Sequence, residues 1–318
     1  MEVHLTSDDV ARSLREDVQQ GLTQSPKQLP PKWHYDERGS QLFDRITGLD
    51  EYYPTRRERQ ILEARAGEIA GASGAETLIE IGAGFSDKSR ILLRALAEAG
   101  TLRRFVPFDV SEPTLREAAE RVVREHPGIE VHAIVGDFER QLDLLPTGDR
   151  RLIAFLGSTI GNLDQSRRAA LLETVAAGMG PGDRFLLGAD LVKDTERLQR
   201  AYNDSQGLSA AFNLNLLNRL NRDLSADFVV DRFRHEARWV PEHEWMQMGL
   251  RSLQAQEVRI LVLDMTVGFE EDEVLLTEIS AKFQRPRLES ELGRVGLRLH
   301  RWWNDLRGDF SVSLWQRG

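Results

Sequence analysis

The sequence predicts an α/β fold: a parallel sheet of βαβ units closed by a C-terminal hairpin, with an α+β unit inserted before the last helix. Three observations predict it. From Thr77 to Asp190, short apolar runs that end in small or acidic residues alternate with helical stretches. From Arg232 to Phe283 the pattern changes to period-2 alternation, as in Val262–Val267 and Leu275–Phe283. Finally, Leu297–Trp303 and Phe310–Trp315 read as a closing strand pair.

Residues 8–22 place Val10, Leu14 and Val18 at helical spacing among charges, which predicts an amphipathic helix that docks on another element. Pro26, Pro30 and Pro31 punctuate a loop leading to Lys32-Trp33-His34-Tyr35-Asp36. Gly39–Leu49 offers a second helix with Leu42, Phe43 and Ile46 on one face. Pro54 pushes Tyr53 toward an extended conformation. Thr55 and Glu58 have the form of a capping box for the helix running through Ile61, which puts Tyr52 on a loop at a helix mouth.

Thr77–Ile81 reads as a buried parallel strand, and Ser86–Ala97 as the helix after it. Between them, Gly82-Ala83-Gly84 lets backbone approach a ligand at a helix N-terminus. Asp87 stands where a dinucleotide fingerprint wants a third small residue, an anion where pyrophosphate would lie. Glu80 suits instead a ligand with a cationic amino-acid end, and S-adenosylmethionine is such a ligand.

Arg103–Asp109 reads as the next strand, and Asp109 at its end holds the position from which a carboxylate accepts both ribose hydroxyls. Ile129–Val135 runs into Gly136-Asp137-Phe138, where Asp137 can accept from an adenine amino group and Phe138 can cover the ring. Arg151–Leu156 leads to Gly157-Ser158-Thr159-Ile160-Gly161-Asn162, and Phe185–Leu187 to Gly188-Ala189-Asp190. The intervening helices are Glu112–Glu125 and Ser166–Met179. All these polar residues fall at strand C-termini, where ligands bind in such sheets.

Helical stretches cover Thr195–Tyr202, Ser209–Arg222 and Leu288–Val295, and Phe269–Glu273 reads as a solvated acidic turn. A seven-stranded sheet ending in a hairpin is the layout of class I (Rossmann-like) methyltransferases. The expected division is 61–195 plus 284–318 for the S-adenosylmethionine-binding domain and 1–60 plus 196–283 for a substrate-binding lid.

Composition narrows the partners. The 318 residues carry 51 acidic and 42 basic side chains, a formal charge of -9 with no basic stripe, which argues against nucleic acid. There is no cysteine, hence no disulfide, thiolate metal site or cysteine nucleophile. No apolar run is long enough to span a bilayer, and a soluble cytoplasmic monomer is expected. HExxH, GxSxG and GxxxxGK[ST] are absent from the sequence, and His235 and His243 are too isolated for a metal site, so no metal is expected.

Longer segments carry a resemblance: LPPKWHYDERGSQLFDRIT, EYYPTR, IEIGAGFSDKSR, PFDVSEP, GDFE, FLGSTIGNL, GADLVKD, AFNLNLLNRLN and LTEISAKF. From about residue 12 onward the chain resembles the ergothioneine-pathway L-histidine Nα-methyltransferase family, whose members form amino-acid betaines with S-adenosylmethionine. The resemblance implies cofactor contacts at Gly82, Gly84, Lys88, Asp109, Asp137 and Phe138. It implies substrate contacts at Tyr52, Asn162, Tyr202, Met248, Glu278, Ile279 and Ser280. Within these, Asn162 and Tyr202 hold the substrate amino and carboxylate groups, and Glu278 and Ser280 read the imidazole. Tyr35, Tyr52 and Asn162 are the expected catalytic groups: Asn162 aims the amine, and the two tyrosines orient it or face the growing quaternary ammonium.

Physical reasoning supports part of this. Residues 278 and 280 lie on one face of a strand, and a carboxylate with a hydroxyl satisfies both ring nitrogens. Two alternatives stand beside this reading: the same chemistry on another amino acid such as tryptophan, and a non-catalytic S-adenosylmethionine-binding protein. Ala83 and Phe85 occupy a loop where small polar residues are expected, and Gly249 stands where an aromatic residue would fit the pattern.

Overall fold

The computed structural model describes residues 1–84, 87–148 and 150–318. Phe85 and Ser86, part of the expected glycine loop and helix start, lie outside the described residues. In chain order the elements begin with β1 (Glu2–Val3), α1 (Ser7–Thr23), α2 (Glu37–Thr47), α3 (Pro54–Ser73), β2 (Thr77–Ile81) and α4 (Asp87–Glu98). They continue through β3 (Arg104–Asp109), α5 (Glu112–Glu125), β4 (Glu130–Val131), β5 (Ile134–Val135), β6 (Arg151–Phe155), α6 (Gln165–Gly178) and β7 (Arg184–Asp190). Next come α7 (Thr195–Tyr202), α8 (Leu208–Leu224), β8 (Phe233–Val240), β9 (Trp245–Ser252), β10 (Gln256–Ile260), β11 (Met265–Phe269) and β12 (Val274–Ala281). The last are α9 (Arg285–Arg294), β13 (Leu297–Asn304) and β14 (Phe310–Arg317). Among the described residues no helix is long and apolar enough to cross a membrane.

The chain forms two compact units. The first comprises Met1–Thr6, Pro54–Val192 and Lys282–Gly318. Its sheet has the order β1-β5-β3-β2-β6-β7-β14-β13, with β4 also on β3. The pairs from β1 to β7 are parallel, and β14 runs antiparallel to both β7 and β13. Parallel strands covered on both faces must be apolar nearly throughout, and β2, β3 and β6 are. Leu78, Phe105 and Leu152 meet Ile61, Leu62 and Ile69 of α3 and Leu93 of α4 in one buried cluster, which Phe310, Val312 and Leu314 of β14 join.

Three expectations are corrected here. Residues 1–6 belong to this unit rather than to the lid, because Glu2 N–H donates to Ala133 O and His4 N–H to Val135 O. The run 129–135 is two short strands separated by His132 and Ala133. Together these make a nine-stranded sheet in place of seven. The third concerns α3, which begins at Pro54, a residue whose missing N–H is harmless at a helix start. Thr55 therefore lies inside the first turn, the unit boundary falls before residue 61, and Glu58 is used elsewhere than in a capping box.

The second unit comprises Ser7–Tyr53 and Lys193–Ala281. It holds an antiparallel sheet of order β12-β9-β8 and a β10-β11 ribbon. Leu14, Val18 and Leu22 of α1 close on Leu216, Leu217, Leu220 and Leu224 of α8, and Leu250 and Leu275 complete that core. The expected strand 262–267 is corrected: Leu261–Leu263 form a 3-10 turn, Asp264 takes φ +47° in the left-handed region, and β11 starts at Met265. In β12 the pairing shifts between Leu276 and Glu278, so Thr277 is an extra residue in a bulge.

Candidate active site

At the strand ends of the first unit, Gly82 and Gly84 take φ +69° and +46°. Among the described residues, and apart from each glycine's chain neighbours, no atom lies within 4 Å of where a Cβ would stand at either position, so on that side the turn after β2 is both left-handed and open. Gly82 and Ala83 N–H groups donate to Phe108 O, which ties the turn to β3. Ala83, expected to be polar, is buried against Leu115, Ala133 and Val135, which explains its apolar character.

Asp109 ends β3 half-buried. Its carboxylate accepts from Gly84 N–H and Ser111 N–H, both at 3.0 Å. Burial pushes this carboxyl above the usual range, against the pull of those backbone donors. Asp137 is buried and accepts from Glu139 N–H at 3.0 Å. The Phe138 ring meets Phe155 edge-on at 5.5 Å. The carboxylates, the ring and the open glycine turn fit S-adenosylmethionine, whose ribose and adenine they would hold.

Lys88 of α4 does not point its charge into open space. Its Nζ pairs with Glu58 of α3 at 2.5 Å, and Glu58 is fully buried. The same carboxylate accepts the Gly157 N–H at 2.8 and 3.0 Å, which pins the start of the segment leading to Asn162. A Cβ on Gly188 would fall 1.9 Å from Glu58 Oε1, so β7 carries glycine where the carboxylate passes. Glu80 is likewise buried and accepts from Ser89 Oγ. Ser158, at φ +57°, accepts from Asp190 N–H at 3.0 Å, and Asp190 forms an ion pair with Lys282 at 2.8 Å with both side chains fully buried. Asn162 closes the 3-10 turn Thr159–Asn162, half-buried. The sequence set Glu58 in a capping box and Asp190 at a strand end, but not the distant partners they take up, Lys88 and Gly157 for the first and Lys282 for the second.

The second unit gathers the remaining predicted residues. Tyr202, the last residue of α7, bonds through its hydroxyl to Ser280 Oγ at 2.8 Å. Glu278 pairs with Met248 and Ser280 with Met246 in the β12-β9 register, so these four share one sheet face while Ile279 takes the other. Met248 is buried with Tyr53, Leu198, Ala201 and Met246, and Tyr202 packs on that cluster. The rings of Tyr35, Phe43, Tyr52 and Tyr202 succeed one another edge to face at 5.5, 6.0 and 6.1 Å. Tyr35 is exposed and Tyr52 half-buried.

An aromatic residue in place of Gly249 is ruled out: even a Cβ would stand 2.5 Å from Val274 Cγ1 and 2.9 Å from Leu275 O. The register sets His235 opposite Leu250 and so on the same face as Met248, and there it ends a chain the sequence did not announce, running from His34 through Asn213 to His235. Burial holds both imidazoles below the ordinary histidine value. Among the described residues no group of three or more His, Asp or Glu side chains is placed to hold a metal.

Sheet order and strand-end carboxylates together define a class I S-adenosylmethionine-dependent methyltransferase fold. A solved S-adenosylmethionine-dependent methyltransferase from Clostridium acetobutylicum ATCC 824 shares it, with a TM-score of 0.50 over 87% of this chain and 98% of that one at 12% identity. The profile of one family, described as histidine-specific SAM-dependent methyltransferase, matches residues 14–317, and the chain belongs to that family. It is 53% identical over 311 residues to the histidine N-alpha-methyltransferase of Mycolicibacterium smegmatis, covering 98% of this chain and 97% of that one. It is 35% identical over 247 residues to ergothioneine biosynthesis protein 1 of Neurospora crassa, covering 70% of this chain and 28% of that one.

Proposed function

We propose that the chain methylates the α-amino nitrogen of free L-histidine three times with S-adenosylmethionine, yielding hercynine, the first intermediate toward ergothioneine. The observation that carries the reading is the Tyr202–Ser280 hydrogen bond on the sheet face that also bears Glu278. A carboxylate and a hydroxyl there can bond both nitrogens of an imidazole. A different side chain would leave them unpaired, a discrimination of about 10⁴ or more against roughly a hundredfold for shape alone.

S-adenosylmethionine supplies the sulfonium methyl, and Asp109, Asp137, Phe138, Gly82, Gly84 and Lys88 hold it. The nucleophile must be the neutral amine, so the residues orient it and take up its proton rather than supply a strong base. In this reading Asn162 holds the amino group, Tyr202 the carboxylate, and Glu278 and Ser280 the ring, with Met248 and Ile279 lining the position. As methyls accumulate, the amine becomes a permanent cation, and the succession Tyr35, Phe43, Tyr52, Tyr202 offers ring faces to it. Residues 7–53 and 193–281 thus form the substrate-recognition unit, and a monomer in the cytoplasm supplies every group.

The test is mass spectrometry of the purified protein with S-adenosylmethionine and an equimolar mixture of the twenty amino acids. The expected product is histidine heavier by three methyl groups. A methylated tryptophan, or no product, would overturn the reading.

A further inference from the structure

His34, Asn213 and His235 form a buried chain within the second unit that ends on the backbone of Tyr202. His34 Nδ1 lies 3.0 Å from Pro31 O and its Nε2 3.2 Å from Asn213 Oδ1, while its ring stacks on Phe212 at 4.9 Å. Asn213 Nδ2 donates to Gly249 O at 3.1 Å and stands 2.9 Å from His235 Nδ1. His235 Nε2 stands 2.9 Å from Tyr202 O.

The proton placement follows from what each group can do. Carbonyl oxygens only accept. Gly249 O therefore fixes which end of the Asn213 amide is the NH₂, and that NH₂ faces His235, whose Nδ1 must then be the acceptor. His235 consequently carries its proton on Nε2 and donates it to Tyr202 O. That carbonyl belongs to the last turn of α7, where no intrahelical donor remains to satisfy it. The effect is to anchor the final residue of α7 at its main chain while its hydroxyl bonds Ser280 on β12.

We propose that His235, its tautomer set by Asn213, is a positioning residue for substrate selection: it holds Tyr202 so that the hydroxyl keeps Ser280 aimed for the imidazole. This rests on the histidine reading given above. His235 and Asn213 are not among the residues proposed to hold the methyl donor, so their influence falls on amino-acid affinity rather than on the chemical step.

Two substitutions separate the two ends of the ring. In His235→Gln the longer amide still reaches Tyr202 O as a donor but gives up the Nδ1 acceptor. In His235→Asn the shorter amide keeps a partner for Asn213 and gives up Tyr202. Loss of the Tyr202 bond should raise KM for histidine by about tenfold in His235→Asn, the size of one net hydrogen bond. The turnover number and S-adenosylmethionine affinity should stay near wild type, and His235→Gln should keep a near wild-type KM. Equal KM changes in the two variants, or a parallel loss of turnover and cofactor affinity, would overturn the proposal and assign His235 to folding alone. Wild-type protein that does not use histidine would overturn the reaction reading as well, so the two failures are distinguishable. A measurement without substitution accompanies these: in ¹⁵N-histidine-labelled protein, His235 should show a protonated Nε2 and a bare Nδ1. The opposite tautomer would refute the mechanism even if the variants fail to fold.

Discussion

Replacing Glu58 by glutamine should destabilise the first unit far more than its chemical conservatism suggests. The carboxylate is fully buried, pairs with Lys88 Nζ at 2.5 Å and accepts the Gly157 N–H at 2.8 and 3.0 Å. Lys88 is itself only 13% exposed at the side chain, so water cannot replace the lost charge. Removing one member of a buried ion pair costs about 3–5 kcal/mol. The glutamine oxygen can still accept from Gly157, which retains ~1 kcal/mol. The expected loss is therefore near the low end, about 3 kcal/mol.

Converting both partners, Glu58→Gln with Lys88→Met, removes the orphaned ammonium and should return to within ~1 kcal/mol of wild type, because an apolar replacement of a buried pair is often neutral. The double-mutant cycle should thus show about 2 kcal/mol or more of coupling. Urea unfolding followed by circular dichroism measures all four species. Stability is the appropriate readout, since Lys88 also belongs to the proposed cofactor set and its loss would reduce activity on either account. A Glu58→Gln protein that unfolds at the wild-type urea concentration, or single effects that simply add, would refute the reasoning.

Two further outcomes follow from the geometry. Ribose hydroxyls are expected to bond the ionised Asp109, whose free carboxyl titrates above the usual range because it is buried. Binding then favours the charged form, so S-adenosylmethionine affinity should be full at neutral pH and fall as pH drops through that raised pKa. Calorimetric titration against pH should show this loss beginning at a higher pH than an ordinary carboxylate gives, and Asp109→Asn should bind weakly at every pH. A wild-type affinity independent of pH down to the ordinary carboxylate range would contradict it. Gly249→Ala should lose about 1–3 kcal/mol of stability through overpacking, since the new methyl would meet Val274 Cγ1 and Leu275 O, and thermal unfolding at an unchanged temperature would contradict this.

The sheet of the first unit was legible because buried parallel strands announce themselves as apolar runs, and the carboxylates at Asp109 and Asp137 follow directly from where those runs stop. Less visible was β1, for Glu2 and Val3 carry no period and join the sheet through backbone bonds to the segment around Ala133 and Val135 and an ion pair from Glu2 to His132, partners that local sequence does not show. In the second unit, the spacing of Glu278 and Ser280 told correctly that they share a face. The bulge at Thr277 was hidden, although it sets Glu278 opposite Met248 rather than Gln247. Buried polar partners were hardest to foresee. Glu58 looked like a capping residue, and His235 like a stray histidine, because local sequence cannot reveal that Gly157 or Asn213 will arrive beside them. Gly249 is the converse case, where an apparent departure from expectation is explained by the strand that closes over it.

The position of β14 has a consequence for how the protein is made. It lies inside the sheet, between β7 and β13, and its contact with β7 joins residues such as Ser311 and Ala189 that are 122 apart in sequence. Until residues 310–317 have emerged from the ribosome, β7 presents an unpaired edge rich in Phe185, Leu186 and Leu187, side chains that are fully buried in the finished fold. Such an edge invites pairing with other chains, and closing so long a loop is slow. Between the two strands the chain must first complete Lys193–Ala281. Early folding of that inserted segment would bring its ends together and shorten the effective loop that β14 has to close, which makes the second unit a folding aid for the first.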